Sequence, residues 1–119
     1  MDSGIRTVLM TAPDRESGES LATDLVRERL AACANVIGGV TSVYWWGNEL
    51  ERTQEVLVIL KTSEARVDEL VERAASLHPY DVPELIVLNV ETGYRPYLDW
   101  VRSETTGGEI GSKGESEHG

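Results

Sequence analysis

Residues 35–62, NVIGGVTSVYWWGNELERTQEVLVILKT, predict two long β-strands joined by a tight turn. The first strand covers 35–46 and the second 49–62, because both are rich in β-branched, aromatic and large apolar side chains. Gly47-Asn48 separates them and readily adopts the positive φ that a two-residue hairpin loop needs. Gly38-Gly39 interrupts the first strand, but strand residues resume at once, which predicts a bulge or a bend there.

One strand and one helix precede this hairpin. Residues 5–12 (IRTVLMTA) form a β-rich run that ends at Pro13-Asp14, and Asp14 can cap a helix. Apolar residues then recur at helical spacing over 15–33, which predicts an amphipathic helix with Cys33 at the end of its apolar side.

A second helix and strand follow the hairpin. Ser63 is the predicted cap of a helix that stops at His78-Pro79, and 84–90 (ELIVLNV) is the last long strand. Residues 95–104 (RPYLDWVRSE), with a proline near their start, predict a short closing helix.

The order β-α-β, hairpin, β-α-β favours an α+β fold, the ferredoxin-like split βαβ sandwich, with two helices on one face of a four-stranded antiparallel sheet. The chain has 119 residues, the size of one domain. We assign this domain to 1–104. Residues 105–119 are rich in Gly and Glu with a single Ile, which predicts a flexible acidic tail.

Composition excludes several classes of function. The formal net charge of −10 would repel phosphate backbones and anionic lipid, so we expect neither nucleic-acid nor membrane partners. No apolar run approaches the roughly 20 residues of a membrane-spanning helix, and no secretory signal is visible, which favours the cytoplasm. Cys33 is the single cysteine and excludes an intrachain disulfide.

Apolar residues are continuous rather than alternating in three of the predicted strands, for example in 56–60 and 85–88. A sheet with one solvated face would alternate apolar and polar side chains, so we expect both faces to be buried, with the closing helix covering only part of the second. Tyr44, Trp45 and Trp46 at the hairpin tip add aromatic surface far from any single core. Together these features favour a subunit interface over a simple clamp on the hairpin.

The chain carries none of the common nucleotide, hydrolase, zinc-protease or thiol-redox motifs. His78 lies at a helix end, where it could cap the last carbonyls or could serve as a ligand. Asp81 and Glu84 flank the same loop and could support a proton-transfer pair or a hard-cation site. Cys33 fits a buried small apolar residue, with a ligand or reactive thiol as the alternative.

Seven short motifs, in the order and spacing of one family, occur between residues 5 and 103. They are Thr11-Ala12-Pro13-Asp14, Arg29 to Ile37 (RLAACANVI), Thr41 to Trp46 (TSVYWW), Glu55 to Thr62 (EVLVILKT), His78-Pro79-Tyr80, Val82-Pro83-Glu84 and Tyr97-Leu98-Asp99-Trp100. In these the chain closely resembles the CutA divalent-cation tolerance family. The resemblance implies a ferredoxin-like homotrimer in the cytoplasm, a role in tolerance of copper and other divalent cations, and no established reaction.

The resemblance also implies metal ligands. Copper binding in the family is associated with a Cys immediately before the Thr-Ala-Pro-Asp motif and with one or two His before Pro-Tyr. Here Met10 holds the first position, His78 is present, and Leu77 stands where some members carry another His. Thioether and imidazole both suit copper, but the missing thiolate and imidazole predict weak binding at Met10 and His78. Cys33 matches a family Cys, to which we assign a structural role first and a metal role second.

Two functions remain open. The leading hypothesis is a non-enzymatic homotrimer of divalent metal (copper) tolerance that binds copper or another divalent cation weakly. The alternative is a small-molecule or protein sensor similar to the PII proteins, which bind effectors in clefts between subunits, and an enzyme ranks third. Trp45, Trp46, Tyr80 and His78 lining a cleft between subunits would favour the sensor, whereas His78 facing Met10 or a symmetry-related His78 would favour the metal site.

Overall fold

The computed structural model describes residues 2–106. Their elements follow the predicted order: β1 (Ile5–Ala12), α1 (Arg15–Arg27), β2 (Cys33–Trp46), β3 (Glu49–Ser63), α2 (Val67–Leu77), β4 (Leu85–Val90) and α3 (Arg95–Glu104). Within this range the strands form one antiparallel sheet in the order β2-β3-β1-β4. The α+β ferredoxin-like fold with a short closing helix is therefore confirmed.

The hairpin also has its predicted details. The register between β2 and β3 shifts between Ile37 and Val40, and Gly39 has a φ of 79°. This is the β-bulge expected at Gly38-Gly39. Gly47 has a φ of 67° in the loop between the strands, a conformation that glycine adopts without a steric penalty.

Helix α1 is shorter than predicted. It starts as expected at Asp14, whose carboxylate accepts a hydrogen bond from the Ser17 N–H at 2.8 Å. It ends at Arg27 rather than at residue 33, because Arg29 takes a φ of 64° and turns the chain out of the helix. Cys33 is consequently the first residue of β2, and its predicted place at a helix end is wrong.

The cap predicted for the second helix is also wrong in detail. One 3₁₀ turn, Glu64–Arg66, separates Ser63 from α2, and the Ser63 side chain makes no capping hydrogen bond. The Thr105 hydroxyl lies 2.9 Å from Ser63 Oγ and 2.9 Å from the Val101 carbonyl oxygen. Thr105 is only 2 % exposed, so the folded domain extends past 104 and a tail beginning at 105 is wrong for this residue. The remaining predicted tail from residue 107 lies outside the described residues.

Two cores lie on opposite faces of the sheet. The larger core packs α1 and α2 against the first face, with Val8, Met10 and Val58 among its fully buried residues. The smaller core lies where α3 crosses one end of the second face and buries Ile5 and Val101.

The closing helix α3 covers only part of the second face of the sheet, as predicted. Most of that face is exposed in the single chain. Ile37, Ile86 and Leu88 are each 45 % exposed. No helix among residues 2–106 combines the length and the apolar character needed to cross a membrane.

Candidate functional site

The predicted ligands Met10 and Cys33 lie on opposite sides of the sheet. Met10 is fully buried in the core beneath α1 and α2. The Cys33 Sγ lies 3.2 Å from the Tyr97 hydroxyl, on the side covered by α3. Burial first, and then the contact with Cys33, raise the pKa of Tyr97 to about 12. The structure therefore does not bring Cys33 and Met10 together.

His78 is buried where α2 ends, and both of its ring nitrogens have backbone partners. Nε2 lies 2.8 Å from the Thr11 carbonyl oxygen, and Nδ1 accepts a hydrogen bond from the Tyr80 N–H at 3.1 Å. These partners fit the tautomer with its proton on Nε2, since a carbonyl oxygen can only accept. The ring thus links the loop after α2 to Thr11 at the end of β1, the residue that follows Met10. It does not cap the helix.

A hydrogen-bonded chain of side chains leads from His78 toward the hairpin. The Tyr80 ring packs against the imidazole with a centroid distance of 4.9 Å. The Tyr80 hydroxyl donates to one oxygen of Glu55 at 2.6 Å, and the Ser42 hydroxyl donates to the other at 2.5 Å. Burial, followed by the hydrogen bond to Glu55, raises the pKa of Tyr80 well above its ordinary value. The phenol is therefore held as a hydrogen-bond donor to a fixed carboxylate.

These side chains open into a groove of about 1070 Å³ beside the hairpin. We call it the hairpin groove; its lining residues are Thr11, Pro13, Ser42, Val43, Tyr44, Trp45, Trp46, Glu51, Thr53, Gln54, Glu55, Tyr80, Asp81, Val82 and Glu84. The lining includes four carboxylates and no Lys or Arg. Its electrostatic potential consequently favours cations, in line with the net charge of the chain.

Three aromatic residues of the groove are also the predicted interface residues. Tyr44 is 39 % exposed, Trp45 71 % and Trp46 67 % in the single chain. The structure brings Trp45, Trp46 and Tyr80, three of the four residues named for the sensor cleft, to one groove of the single chain. His78 does not line it but lies behind Tyr80.

Among residues 2–106, no group of three or more His, Cys, Asp or Glu side chains is arranged to hold a metal ion. No sequence pattern predicts the Tyr80 to Glu55 contact, which organises the groove, because it joins positions 25 residues apart. Asp81 and Glu84, which were predicted from the sequence as candidate site residues, line the groove.

Comparison with known proteins agrees with this fold. The model of the CutA1 divalent ion tolerance protein family matches residues 6–104. The divalent-cation tolerance protein CutA of Thermus thermophilus is 46 % identical over 98 residues, which cover 82 % of this chain and 95 % of that protein.

Solved structures of such proteins have the same backbone arrangement. The crystal structure of CutA from Xylella fastidiosa superposes with a TM-score of 0.84 at 37 % identity, covering 86 % of this chain and 98 % of that one. A CutA from Archaeoglobus fulgidus, with a TM-score of 0.82 at 29 % identity, covers 85 % and 98 % and is described as periplasmic. The cytoplasmic location expected for the present chain thus stays a prediction.

Proposed function

Because the chain belongs to the CutA1 divalent ion tolerance protein family, we propose that it is a non-enzymatic homotrimer that contributes to copper tolerance in the cytoplasm by binding metal ions weakly. The observation that carries this proposal is the match to that family over residues 6–104. The hairpin groove adds a diffuse attraction for cations, because its lining has four carboxylates and no Lys or Arg. Such a surface concentrates cations near the protein.

The homotrimer is supported by the apolar surface that the single chain leaves exposed. Ile86 and Leu88 on the open face and Trp45 and Trp46 at the hairpin tip are all at least 45 % exposed. Contiguous apolar surface of this kind marks interaction sites, and most soluble assemblies are symmetric homo-oligomers.

The proposed copper ligands are His78 and Met10, and their surroundings give a reason for weak binding. Copper at His78 must displace a backbone hydrogen bond from one ring nitrogen, a loss of about 0.5–1.5 kcal/mol. Met10 must leave a core in which its side chain is fully buried. Both steps reduce the net affinity for an ion that these two donors would otherwise suit.

The absence of catalysis is part of the proposal, and it is supported by the state of the two hydroxyl groups that meet at Glu55. The Ser42 and Tyr80 hydroxyls both donate to Glu55. The raised pKa of Tyr80 opposes formation of a phenolate that could act as nucleophile or base.

Copper titration calorimetry on the wild type, His78→Ala and His118→Ala tests the metal assignment, with His118 as the only other histidine of the chain. We expect the affinity for copper to fall at least tenfold in His78→Ala and to stay unchanged in His118→Ala. Binding should survive raised ionic strength, whereas weak magnesium binding should not, because salt screens diffuse attraction. Acidification should weaken copper binding, since protons compete for imidazole. Equal copper affinities in all three proteins would remove His78 from the site.

A small-molecule sensor is the second candidate, and the size and walls of the hairpin groove favour it. Its volume of about 1070 Å³ is at the upper end of ordinary ligand pockets, and Trp45, Trp46 and Tyr80 supply aromatic surface. A thermal-shift screen with metals and metabolites tests this candidate, because a ligand of the native state raises the melting temperature by mass action. A shift with a metabolite and none with copper would place the sensor ahead.

A further inference from the structure

The walls of the hairpin groove combine two features that recognise the same kind of ligand. Tyr44, Trp45, Trp46 and Tyr80 present aromatic rings. Aromatic faces attract organic cations through the ring quadrupole, and tryptophan does so best. The carboxylates of the same lining attract positive charge, and the absence of Lys and Arg from the lining leaves an anionic effector without a partner.

The carboxylates of the groove are better suited to an extended cation than to a compact one. A divalent metal ion needs several ligands converging within about 2–2.6 Å of one point. No group of three or more His, Cys, Asp or Glu side chains in the described part of the chain has such an arrangement. Yet Glu51, Glu55, Asp81 and Glu84 come from separate positions on β3 and on the loop before β4, and all face the same groove. Charges distributed along a groove match charges distributed along a ligand.

Glu55 is the carboxylate that is already fixed in position. Tyr80 and Ser42 each donate a hydroxyl to a different oxygen of Glu55, and its side chain is half-buried. A carboxylate held in this way loses little side-chain entropy when a ligand binds, which favours affinity. Each oxygen also keeps acceptor capacity for an ammonium group.

We propose that the hairpin groove binds an extended organic dication, a diammonium compound whose hydrocarbon part packs on Tyr44 and Trp46, which lie on the same face of the hairpin as Glu55, and one of whose charged ends pairs with Glu55. This inference rests on the sensor candidate and specifies its ligand class. It does not depend on copper binding at His78. In a trimer the aromatic residues are also the proposed interface residues, so the groove then lies at the border between subunits.

Three probes separate charge, shape and their combination. 1,8-Diaminooctane carries two ammonium groups, 1,8-octanediol has the same chain length without charge, and magnesium carries the same charge without a chain. Titration calorimetry of the full chain at one ionic strength should show binding of the diamine, with the diol and magnesium each at least tenfold weaker. Binding of the diamine should also change the fluorescence of Trp46, which lies on the Glu55 face of the hairpin.

Glu55→Gln is the matched test variant because it removes the charge while keeping an acceptor oxygen for Tyr80 and placing an NH2 group, which can donate to the Ser42 oxygen, at the other position. Glu72→Gln is its control, since it removes the same charge from an exposed position on α2 outside the lining. We expect Glu55→Gln to weaken diamine binding at least tenfold and Glu72→Gln to change it less than twofold. If circular dichroism shows that Glu55→Gln alters the fold, Glu84→Gln, an exposed groove residue, replaces it.

Several results would overturn the proposal. Equal effects of Glu55→Gln and Glu72→Gln on diamine affinity would show that the binding depends only on the net charge of the protein. A diol that binds as well as the diamine would leave the groove a ligand site of another class, so the cation inference would fail while the sensor candidate survives. No binding of the diamine would also refute the inference. The copper titrations of the His78 and His118 variants judge the metal function separately.

Discussion

Met10 is both a proposed copper ligand and a residue of the core, so substitutions at this position test both roles. Its side chain is fully buried in the core beneath α1 and α2. Met10→Ala deletes Cγ, Sδ and Cε, which at about 0.8 kcal/mol per buried methylene-sized group is a loss of about 2.4 kcal/mol in transfer free energy. The cavity left behind adds to this loss, and measured Met→Ala substitutions in cores fall at about 2–5 kcal/mol. We expect the free energy of unfolding to fall by about 3 kcal/mol.

Two further variants complete this experiment. Met10→Leu keeps the volume and should lose less than about 1.5 kcal/mol. Val82→Ala truncates an apolar side chain that is 80 % exposed and should change stability by no more than about 0.5 kcal/mol. Urea unfolding at one fixed protein concentration measures all three, because the stability of an oligomer depends on concentration. A loss below about 1 kcal/mol for Met10→Ala, or an equal loss for Met10→Leu, would refute the core assignment.

The same variants separate sulfur chemistry from packing. Leu lacks the thioether, so Met10→Leu should lower copper affinity if Met10 is a ligand while it leaves the fold intact. Met10→Leu with the copper affinity of the wild type would restrict Met10 to its packing role, and His78 would then be the only proposed ligand that remains.

The remaining predictions concern assembly, alkaline stability and the end of the domain. Light scattering should give three times the monomer mass for the wild type and the monomer mass for Trp45→Glu; a monomeric wild type would contradict the trimer. The raised pKa of Tyr97 means that the native state binds more protons than the unfolded state between pH 10 and about 12, so stability should fall with rising pH there, and less steeply in Tyr97→Phe. Deleting 107–119 should leave the melting temperature nearly unchanged, whereas Thr105→Val should lower the free energy of unfolding by about 1–3 kcal/mol, because it leaves buried groups without their hydroxyl partner. Equal melting temperatures of Thr105→Val and the wild type would contradict that assignment.

Local chemistry explains why the sequence predicted the hairpin so well. The turn at Gly47-Asn48 and the bulge at Gly38-Gly39 depend on residues that adopt unusual φ values, and such residues are visible in a sequence. The end of α1 depends instead on Arg29, an ordinary residue with a positive φ. Leu30 and Ala31 stay buried beyond the turn, so the apolar spacing continued past the end of the helix.

The site was harder to predict because its contacts are long-range. The motif around His78 identified the right loop, but no sequence pattern shows that both nitrogens of the ring are used by the backbone of Thr11 and Tyr80. Thr105 is a similar case: the composition after it is typical of a tail, yet its hydroxyl lies within hydrogen-bond distance of Ser63 in the core. In both cases tertiary contacts, rather than local composition, decide what the residue does.

Strand alternation connects the hairpin groove to the proposed assembly. In β3, Val56 and Val58 point into the core beneath the helices, so Glu55, Leu57 and Ile59 point to the other face. The groove is therefore the polar end of the same open face whose apolar part is expected to meet other subunits. A subunit that covers the apolar part would border the groove, and a ligand bound there would contact both chains. Such a ligand binds the trimer better than the separate chains and therefore stabilises the trimer by mass action. Because a higher protein concentration also favours the trimer, the fraction of bound ligand should rise with protein concentration.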